Sequence, residues 1–281
     1  MNLEQKTLLL KSGNRQISHL FNKNEFEKIV GTQWLGAHFI YLRETDSTNI
    51  YCKNLSRDQF STGTVVLTDN QTKGRGQYGK KWISDKNKNL TFTAVFKPKS
   101  GDRLALLTLA SALSIKYVLQ EYTDATIQIK WPNDVIANGK KIAGLLTECV
   151  FNGAEIDRVL IGIGVNVAQK NFVQSLQERV TSLQLLPGKD PSREILLADI
   201  LQQMEIMYKR WHKFDPQLHL EINRHLIGYG EWVKLSISDT ESENEFKFCG
   251  INEKGYLVVL TTDLDVKTFT HEQVRISQDN R

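Results

Sequence analysis

The sequence predicts an α+β protein, a helix-flanked β-sheet followed by a small all-β unit. Three observations lead there. Short β-branched or alternating runs are interspersed with two long helical patterns as far as residue 228. From residue 229 onward, strand-like runs follow one another at about ten-residue spacing, with polar turns and no helix between them. The chain of 281 residues suits one large unit or two smaller ones. At that size folding buries roughly 75% of the unfolded surface without a disulfide or metal staple.

Residues 1–36 are polar and irregular, with a short helix expected at 25–30. AHFIYLR (37–43) reads as a strand. Asp46, Ser47, Thr48 and Asn49 are all good helix N-caps, and apolar spacing resumes at Ile50, Cys52 and Leu55, so Ser47 and Thr48 stand at a strand-to-helix junction. TVVLT (64–68) is a β-branched strand, 69–88 is polar and glycine-rich, and LTFTAVF (90–96) alternates like a half-buried strand. Leu104, Leu107, Ser111 and Ile115 mark a helix over 103–121. A short strand at 127–131 stops at Pro132. Asn138-Gly139 signals a hairpin joining it to a strand at 141–150, and Asn152-Gly153 repeats the signal before a strand at 156–167. Asp190-Pro191 supplies an N-cap and a first-turn proline for a helix reaching residue 214, whose Ile195, Ile200, Met204, Met207 and Trp211 form a packing stripe. Past Gly228-Tyr229-Gly230, strands are expected at 232–237, 246–251, 256–261 and 267–276.

A content of 40% hydrophobic and 24% charged residues, with five prolines and 18 glycines, excludes collagen and low-complexity disorder. No run approaches the roughly 20 apolar residues of a membrane span, and MNLEQKTLLLKSGNRQ lacks a signal-peptide core. A soluble, cytoplasmic protein is expected. Cys52, Cys149 and Cys249 are far apart and no CxxC pair exists, so they read as reduced thiols rather than a zinc ribbon or disulfide framework. The net charge of +4 lacks the heavy basic bias of an obligate nucleic-acid binder.

KGRGQYGKKW (73–82) packs three glycines among Lys73, Arg75, Lys80 and Lys81. Gly74, Gly76 and Gly79 formally match GxGxxG. A dinucleotide fingerprint opens an apolar helix, however, and here the polar ISDKNKN follows. Glycines let backbone N–H groups approach an anion and the cations neutralise it, which suits a loop that closes over a phosphate-bearing ligand. A solvated surface loop is the plain alternative. KWPNDV (130–135) ends a strand, from which Asn133 and Asp134 project. Lys141 opens an apolar strand, and beside a phosphate its ammonium would stabilise an attacking carboxylate or a developing phosphoryl charge. Hairpin solubility is the other reading of Lys140 and Lys141. Gly144 permits close approach on that strand. Gly162 and Gly164 in IGIGVN (161–166) make room for a ligand or a neighbouring backbone, or mark a bulge. Asn166 can read a purine edge.

TDSTN (45–49), QTKGRGQYGKKW (71–82), KWPNDV (130–135), KKIAGLLTE (140–148) and GIGVN (162–166) together resemble the biotin–protein ligases, in the family's order. The helix-like RVTSL (179–183) and GINEKGYL (250–257) match as well, and the resemblance covers roughly 37–281. It implies an extension at 1–36, a catalytic domain at 37–228 built on a central mixed sheet flanked by helices, and a C-terminal SH3-like β-barrel at 229–281. The implied reaction has two steps. Biotin's carboxylate attacks the α-phosphate of ATP to give biotinyl-AMP and pyrophosphate, and a lysine of a biotin carboxyl carrier domain then takes the biotinyl group.

The resemblance implies Lys141 and Arg75 as catalytic residues. Biotin would meet Ser47, Thr48, Asn49, Gln71, Gly74, Arg75, Gly76, Lys141 and Gly144, with Ser47, Thr48 and Gln71 on the ureido ring. ATP would meet Arg75, Gln77, Lys80, Trp82, Lys130, Asn133, Asp134 and Asn166, with Asp134 also serving Mg2+ and Asn166 the adenine. Lys141 would bridge the biotin carboxylate and the α-phosphate. Hydroxyls and amides suit a neutral urea, and cations suit phosphates. The implied partner is a biotin carboxyl carrier protein of a carboxylase; no DNA or membrane is expected, and a homodimer stays open.

Two departures stand out. Many bacterial members read GRGR, whereas Gln77 here is no fixed cation, which implies leakier retention of the adenylate. The residues ahead of TDSTN show no helix-turn-helix pattern, so a repressor of the dual-function type is not expected. Lipoate or octanoate attachment, a biotin-sensing DNA-binding regulator and a non-catalytic binding module are the rival readings. KWPND with GRGxxG speaks for biotin, and Arg75 with Lys141 speaks for catalysis.

Overall fold

The computed structural model describes residues 20–98, 100–237 and 240–276. Expectations for 1–19 and for the final residues 277–281 lie outside them.

A seven-stranded sheet forms the centre, in the order β1 (Phe39–Leu42), β2 (Val65–Thr68), β3 (Leu90–Phe96), β7 (Glu155–Val165), β6 (Lys140–Asn152), β5 (Asp134–Ala137) and β4 (Ile127–Lys130). Only the β1–β2 pair is parallel; the other ladders are antiparallel, so the sheet is mixed. Period-2 alternation sorts its two faces. Val65 and Leu67 of β2, Phe92, Ala94 and Phe96 of β3, and Ile161 and Ile163 of β7 enter the main core. They pack there with the helices α3 (Leu104–Gln120) and α4 (Arg193–His212). Val66, Val95 and Leu160 point the other way, under the short helix α2 (Thr48–Asn54) and its Cys52. Strands covered on both faces read as continuous apolar runs, which is why TVVLT looked so plainly β.

The described part of the N-terminal segment packs on this core. Helix α1 (Lys23–Ile29) is capped by Asn22, whose side chain accepts from Glu25 N–H, and it buries Phe26 against Phe21 and Phe39. Glu205 of α4 accepts the backbone N–H groups of Gln33, Trp34 and Leu35 at 2.9–3.1 Å. Burial pushes the Glu205 carboxyl up, but these donors and Lys209 outweigh it and leave it below its ordinary value. Arg193 and Asp69 form a buried pair at 2.6 Å, and the Tyr41 hydroxyl donates to the same carboxylate.

Beyond the small helix α5 (Leu218–Asn223), the strands β8 (Trp232–Ile237), β9 (Thr240–Ile251), β10 (Leu257–Leu260), β11 (Val266–Phe269) and β12 (Val274–Ile276) make a second, antiparallel sheet. Its order is β11-β10-β9-β8-β12, and no ladder joins β11 to β12 among the described residues. Its 252–255 turn docks on helix α3 and on the turn that follows β4. Leu106 N–H donates to Lys254 O at 3.1 Å and the Trp131 indole N–H to Gly255 O at 3.3 Å. A Cβ on Gly255 would stand 2.4 Å from the Leu106 nitrogen, so only glycine permits this contact.

Five details differ from the sequence reading. The single strand expected at 267–276 is two, β11 and β12, parted by a turn. The residues after Pro132 do not end the sheet: 131–133 form a tight turn, and Asp134–Ala137 returns as a strand paired with β4. Asn138-Gly139, with φ 46° and 80°, therefore joins β5 rather than β4 to β6. The cap of α4 is Ser192, whose Oγ accepts from Ile195 N–H at 3.3 Å, and not Asp190. RVTSL is not helical. It runs alongside the start of β6, Lys141 N–H donating to Arg179 O at 2.8 Å and Thr181 N–H to Lys141 O at 2.9 Å. Its backbone donors and acceptors are thus used by a strand, which a helix would forbid.

Candidate functional site

A cleft of about 550 Å³ opens on the α2 side of the central sheet. Thr91, Gly144, Leu146, Gly162 and Gly164 form its floor, set by register over the buried Thr93. Thr93 of β3 lies opposite Gly162 of β7, which lies opposite Leu146 of β6; one step along, Thr91, Gly164 and Gly144 repeat the arrangement. Each floor glycine accommodates one side chain of the protein itself. A Cβ at Gly162 would stand 2.4 Å from Asn49 Oδ1, at Gly164 2.3 Å from the Trp82 indole, and at Gly144 2.8 Å from Lys141 Cε. The strand glycines thus place three site side chains, rather than a ligand or a bulge.

One end of the cleft is neutral. Ser47 is the N-cap of α2 yet makes no side-chain cap bond. Gln71 takes that role from the neighbouring segment: its Oε1 accepts from Thr48 N–H at 2.8 Å and lies 3.2 Å from Thr48 Oγ1. Thr93 Oγ1 stands 2.8 Å from Thr48 Oγ1 and 2.7 Å from Asn49 Oδ1. Asn49 donates to Glu148 at 2.7 Å and to Leu146 O at 3.2 Å. The other Glu148 oxygen pairs with Arg75 at 3.4 Å. Asn49 is buried and its amide is engaged on both atoms, so it orders the site and steers Arg75 through Glu148.

The other end is cationic. Lys141 Nζ meets Asp134 Oδ1 at 2.6 Å. Lys130 lies close by, its pKa pushed down by burial and further by Lys141 and Lys80, against the opposing pull of Asp134. Arg75, Lys80, Lys81, Lys130, Lys141 and Arg275 all line the cleft, against Asp134 as the one carboxylate among the described lining residues. Such a surplus suits a polyanion. Asn133 donates to Leu145 O, and Asn166 to Thr181 O at 3.0 Å. Each is thereby fixed by backbone with its amide edge at the cleft wall.

The basic segment between the two ends is a hairpin. Arg75 pairs with Lys81, Gly76 N–H donates to Lys80 O at 2.7 Å, and Trp82 N–H donates to Gly74 O at 3.1 Å. Every site residue expected from the sequence lines the cleft except Gly74. Gly74 sits behind it, where a Cβ would stand 2.3 Å from Trp82 O, so this glycine serves hairpin closure. Sequence reasoning missed Thr91, Thr93 and Glu148, and also the apolar wall of Phe172, Leu176 and Val180. The signal for the threonines was present: 91 and 93 alternate with the core-facing Phe92 and Ala94.

Among the described residues no group of three or more His, Cys, Asp and Glu could hold a metal. Asp134, the one carboxylate among the described lining residues, could contribute a single ligand to a divalent cation carried by a phosphate-bearing ligand.

Residues 41–166 match the model of the biotin/lipoate A/B protein ligase family. The chain is 38% identical to the biotin--[acetyl-CoA-carboxylase] ligase of Paracoccus denitrificans, over 78% of this chain and 92% of that one. It is 30% identical to the bifunctional ligase/repressor BirA of Bacillus subtilis, over 83% and 72%. Among solved structures it is similar to the biotin protein ligase from Aquifex aeolicus in complex with biotin and ATP, with TM-score 0.75, 31% identity, and 86% of this chain and 100% of that one covered.

Proposed function

The chain belongs to the biotin/lipoate A/B protein ligase family and is a biotin protein ligase, and from that premise we propose how its residues carry the reaction. Biotin's carboxylate oxygen attacks the α-phosphorus of ATP. A C–O–P anhydride bond forms, the bond from the α-phosphorus to the bridging oxygen breaks, and pyrophosphate leaves. The uncharged ε-amine of a lysine on a biotin carboxyl carrier domain then attacks the acyl carbon. An amide forms, AMP leaves, and the amine's proton is lost to solvent.

The observation that carries this reading is the joining of a neutral hydrogen-bonding end and a cationic end in one cleft. A volume of about 550 Å³ lies in the range of ligand sites. Ser47, Thr48 and Gln71 offer hydroxyls and an amide to the ureido ring. Arg75, Lys80 and Lys130 offset phosphate charge, Trp82 and Asn166 meet the nucleotide base, and Asn133 and Asp134 serve the phosphates and the Mg2+ that accompanies them. Lys141, reaching over Gly144, stands where carboxylate and α-phosphate would meet. No helix of the described residues is long and apolar enough to cross a membrane. We place the enzyme in the cytoplasm, with a carboxylase carrier subunit as acceptor, and take 37–228 and 229–281 as its two working units.

Biotin-dependent exchange of pyrophosphate into ATP tests the first step, with lipoate and octanoate run beside biotin. Exchange with biotin alone is expected. Exchange with lipoate or octanoate instead would overturn the ring-pocket assignment, and none with any acid would overturn adenylation. Gly164→Ala is expected to weaken ATP binding roughly tenfold, because overpacking typically costs 1–3 kcal/mol and the new methyl would meet a fixed indole. Biotin affinity, set at the other end, is expected to change far less. Calorimetric titration of each ligand checks both; equal losses would show that the two ends are not separable.

A further inference from the structure

The tip of the basic hairpin is held from outside by the C-terminal sheet. Tyr78 sits at that tip with φ 55° and ψ 39°, a left-handed conformation that a residue with a side chain keeps only where its surroundings hold it. Its hydroxyl donates to the backbone carbonyl of His271 at 2.5 Å. The Arg275 guanidinium lies 3.8 Å above its ring. Both partners belong to the turn and strand that close the described chain, and Arg275 and Ile276 themselves line the cleft. The tip's own backbone bonds are few, and Gln77 beside it carries no charge to grip a ligand.

We propose that Tyr78 is a latch, a positioning residue through which the C-terminal sheet holds the 74–82 hairpin closed over the cleft and lengthens the residence of the acyl-adenylate. The second half of this statement rests on the adenylation proposed above. The first half does not, because the latch is a contact of protein with protein. One hydrogen bond and one cation–π contact at a half-exposed site are together equivalent to about a tenfold change in the open population.

Two readouts test it on the full chain. In the first, ligand-free protein is digested briefly with trypsin, for which Arg75, Lys80 and Lys81 are sites within the hairpin. Cleavage there, measured against cleavage elsewhere, is expected to be about tenfold faster in Tyr78→Ala, with Tyr78→Phe between that and the native chain because it keeps the ring stack. Equal rates in the native chain and Tyr78→Ala would overturn the latch, whether or not the protein proves able to adenylate biotin. In the second, adenylate formed from biotin and ATP is chased with unlabelled biotin. Its release is expected to be about tenfold faster in Tyr78→Ala, and the effects of Tyr78→Ala and Arg275→Met are expected to be less than multiplicative. Fully multiplicative effects would show that Tyr78 acts on the ligand directly and would overturn the positioning role. The thermal midpoint of each variant is expected to stay at the native value, since the tip buries little.

Discussion

Lys141→Ala is expected to lose biotin adenylation by about 10²–10³-fold, the usual effect of removing one preorganised donor from a developing negative charge. The geometry says why the loss falls on the chemical step. The ammonium is fixed at 2.6 Å from Asp134, and the absence of a Cβ at Gly144 gives it its path across the floor. The protein's own groups thus hold it in position. In the reaction proposed above, the carboxylate closing on the α-phosphorus brings two negative groups together, and a cation between them would gain most at the transition state. Without it, Asp134 remains as an unbalanced negative charge beside the phosphates. Both partners are about a quarter to a third exposed, so the pair itself contributes no more than about 1 kcal/mol to folding. The variant should accordingly keep its thermal midpoint. Lys141→Arg should not rescue, because a planar fork does not place one compact charge where the Lys141 ammonium meets Asp134. Pyrophosphate exchange measures the rate and a thermal melt the fold. Near-native exchange in Lys141→Ala, or a loss matched by unfolding, would sink the assignment.

Much of this site was legible from residue types and spacing. Ser47 and Thr48 were placed at a helix start because Ser, Thr and Asn are capping residues, and that is where α2 begins. The glycines at 144, 162 and 164 were marked as points of close approach because glycine weakens a strand it does not serve. Their actual neighbours were not legible. Asn49 meets Gly162 and Trp82 meets Gly164 across long stretches of chain, and only sheet register brings them together. Strand β5 was missed because it opens on Asp134, a poor strand former, directly after a proline that reads as a terminator. Helix α5 is six residues long, too short for its period to show. The reach of Arg275 into the cleft depends on how the C-terminal sheet docks, for which no local pattern exists.

Asp69→Asn is expected to destabilise the fold by about 3–5 kcal/mol, the usual penalty for breaking a buried ion pair from one side. The pair is dry: the side chains of Arg193 and Asp69 are 4% and 0% exposed, at 2.6 Å. Asp69 also accepts from Phe21 N–H at 3.2 Å and from the Tyr41 hydroxyl. Burial, then this carboxylate, pushes the Tyr41 pKa up to about 12. Arg193 opens helix α4, where the helix dipole disfavours a cation, so the carboxylate is what makes an arginine tolerable there. Asparagine can still accept from Tyr41 and Phe21, but it takes the negative charge away from beside the buried guanidinium. For a chain of this size the midpoint should fall by roughly 10 °C. Adding Arg193→Met removes the buried cation and should recover part of the loss. The effect should also reach the cleft. Asp69 directly follows β2, two residues before Gln71, and Asn87 N–H donates to Asp69 O at 3.0 Å, so both ends of the segment carrying the basic hairpin are anchored there. Weaker biotin binding in the folded variant is therefore expected alongside the lower midpoint. A midpoint within about 2 °C of the native value would show that Arg193 finds other compensation and that the pair is not what fixes this corner of the sheet.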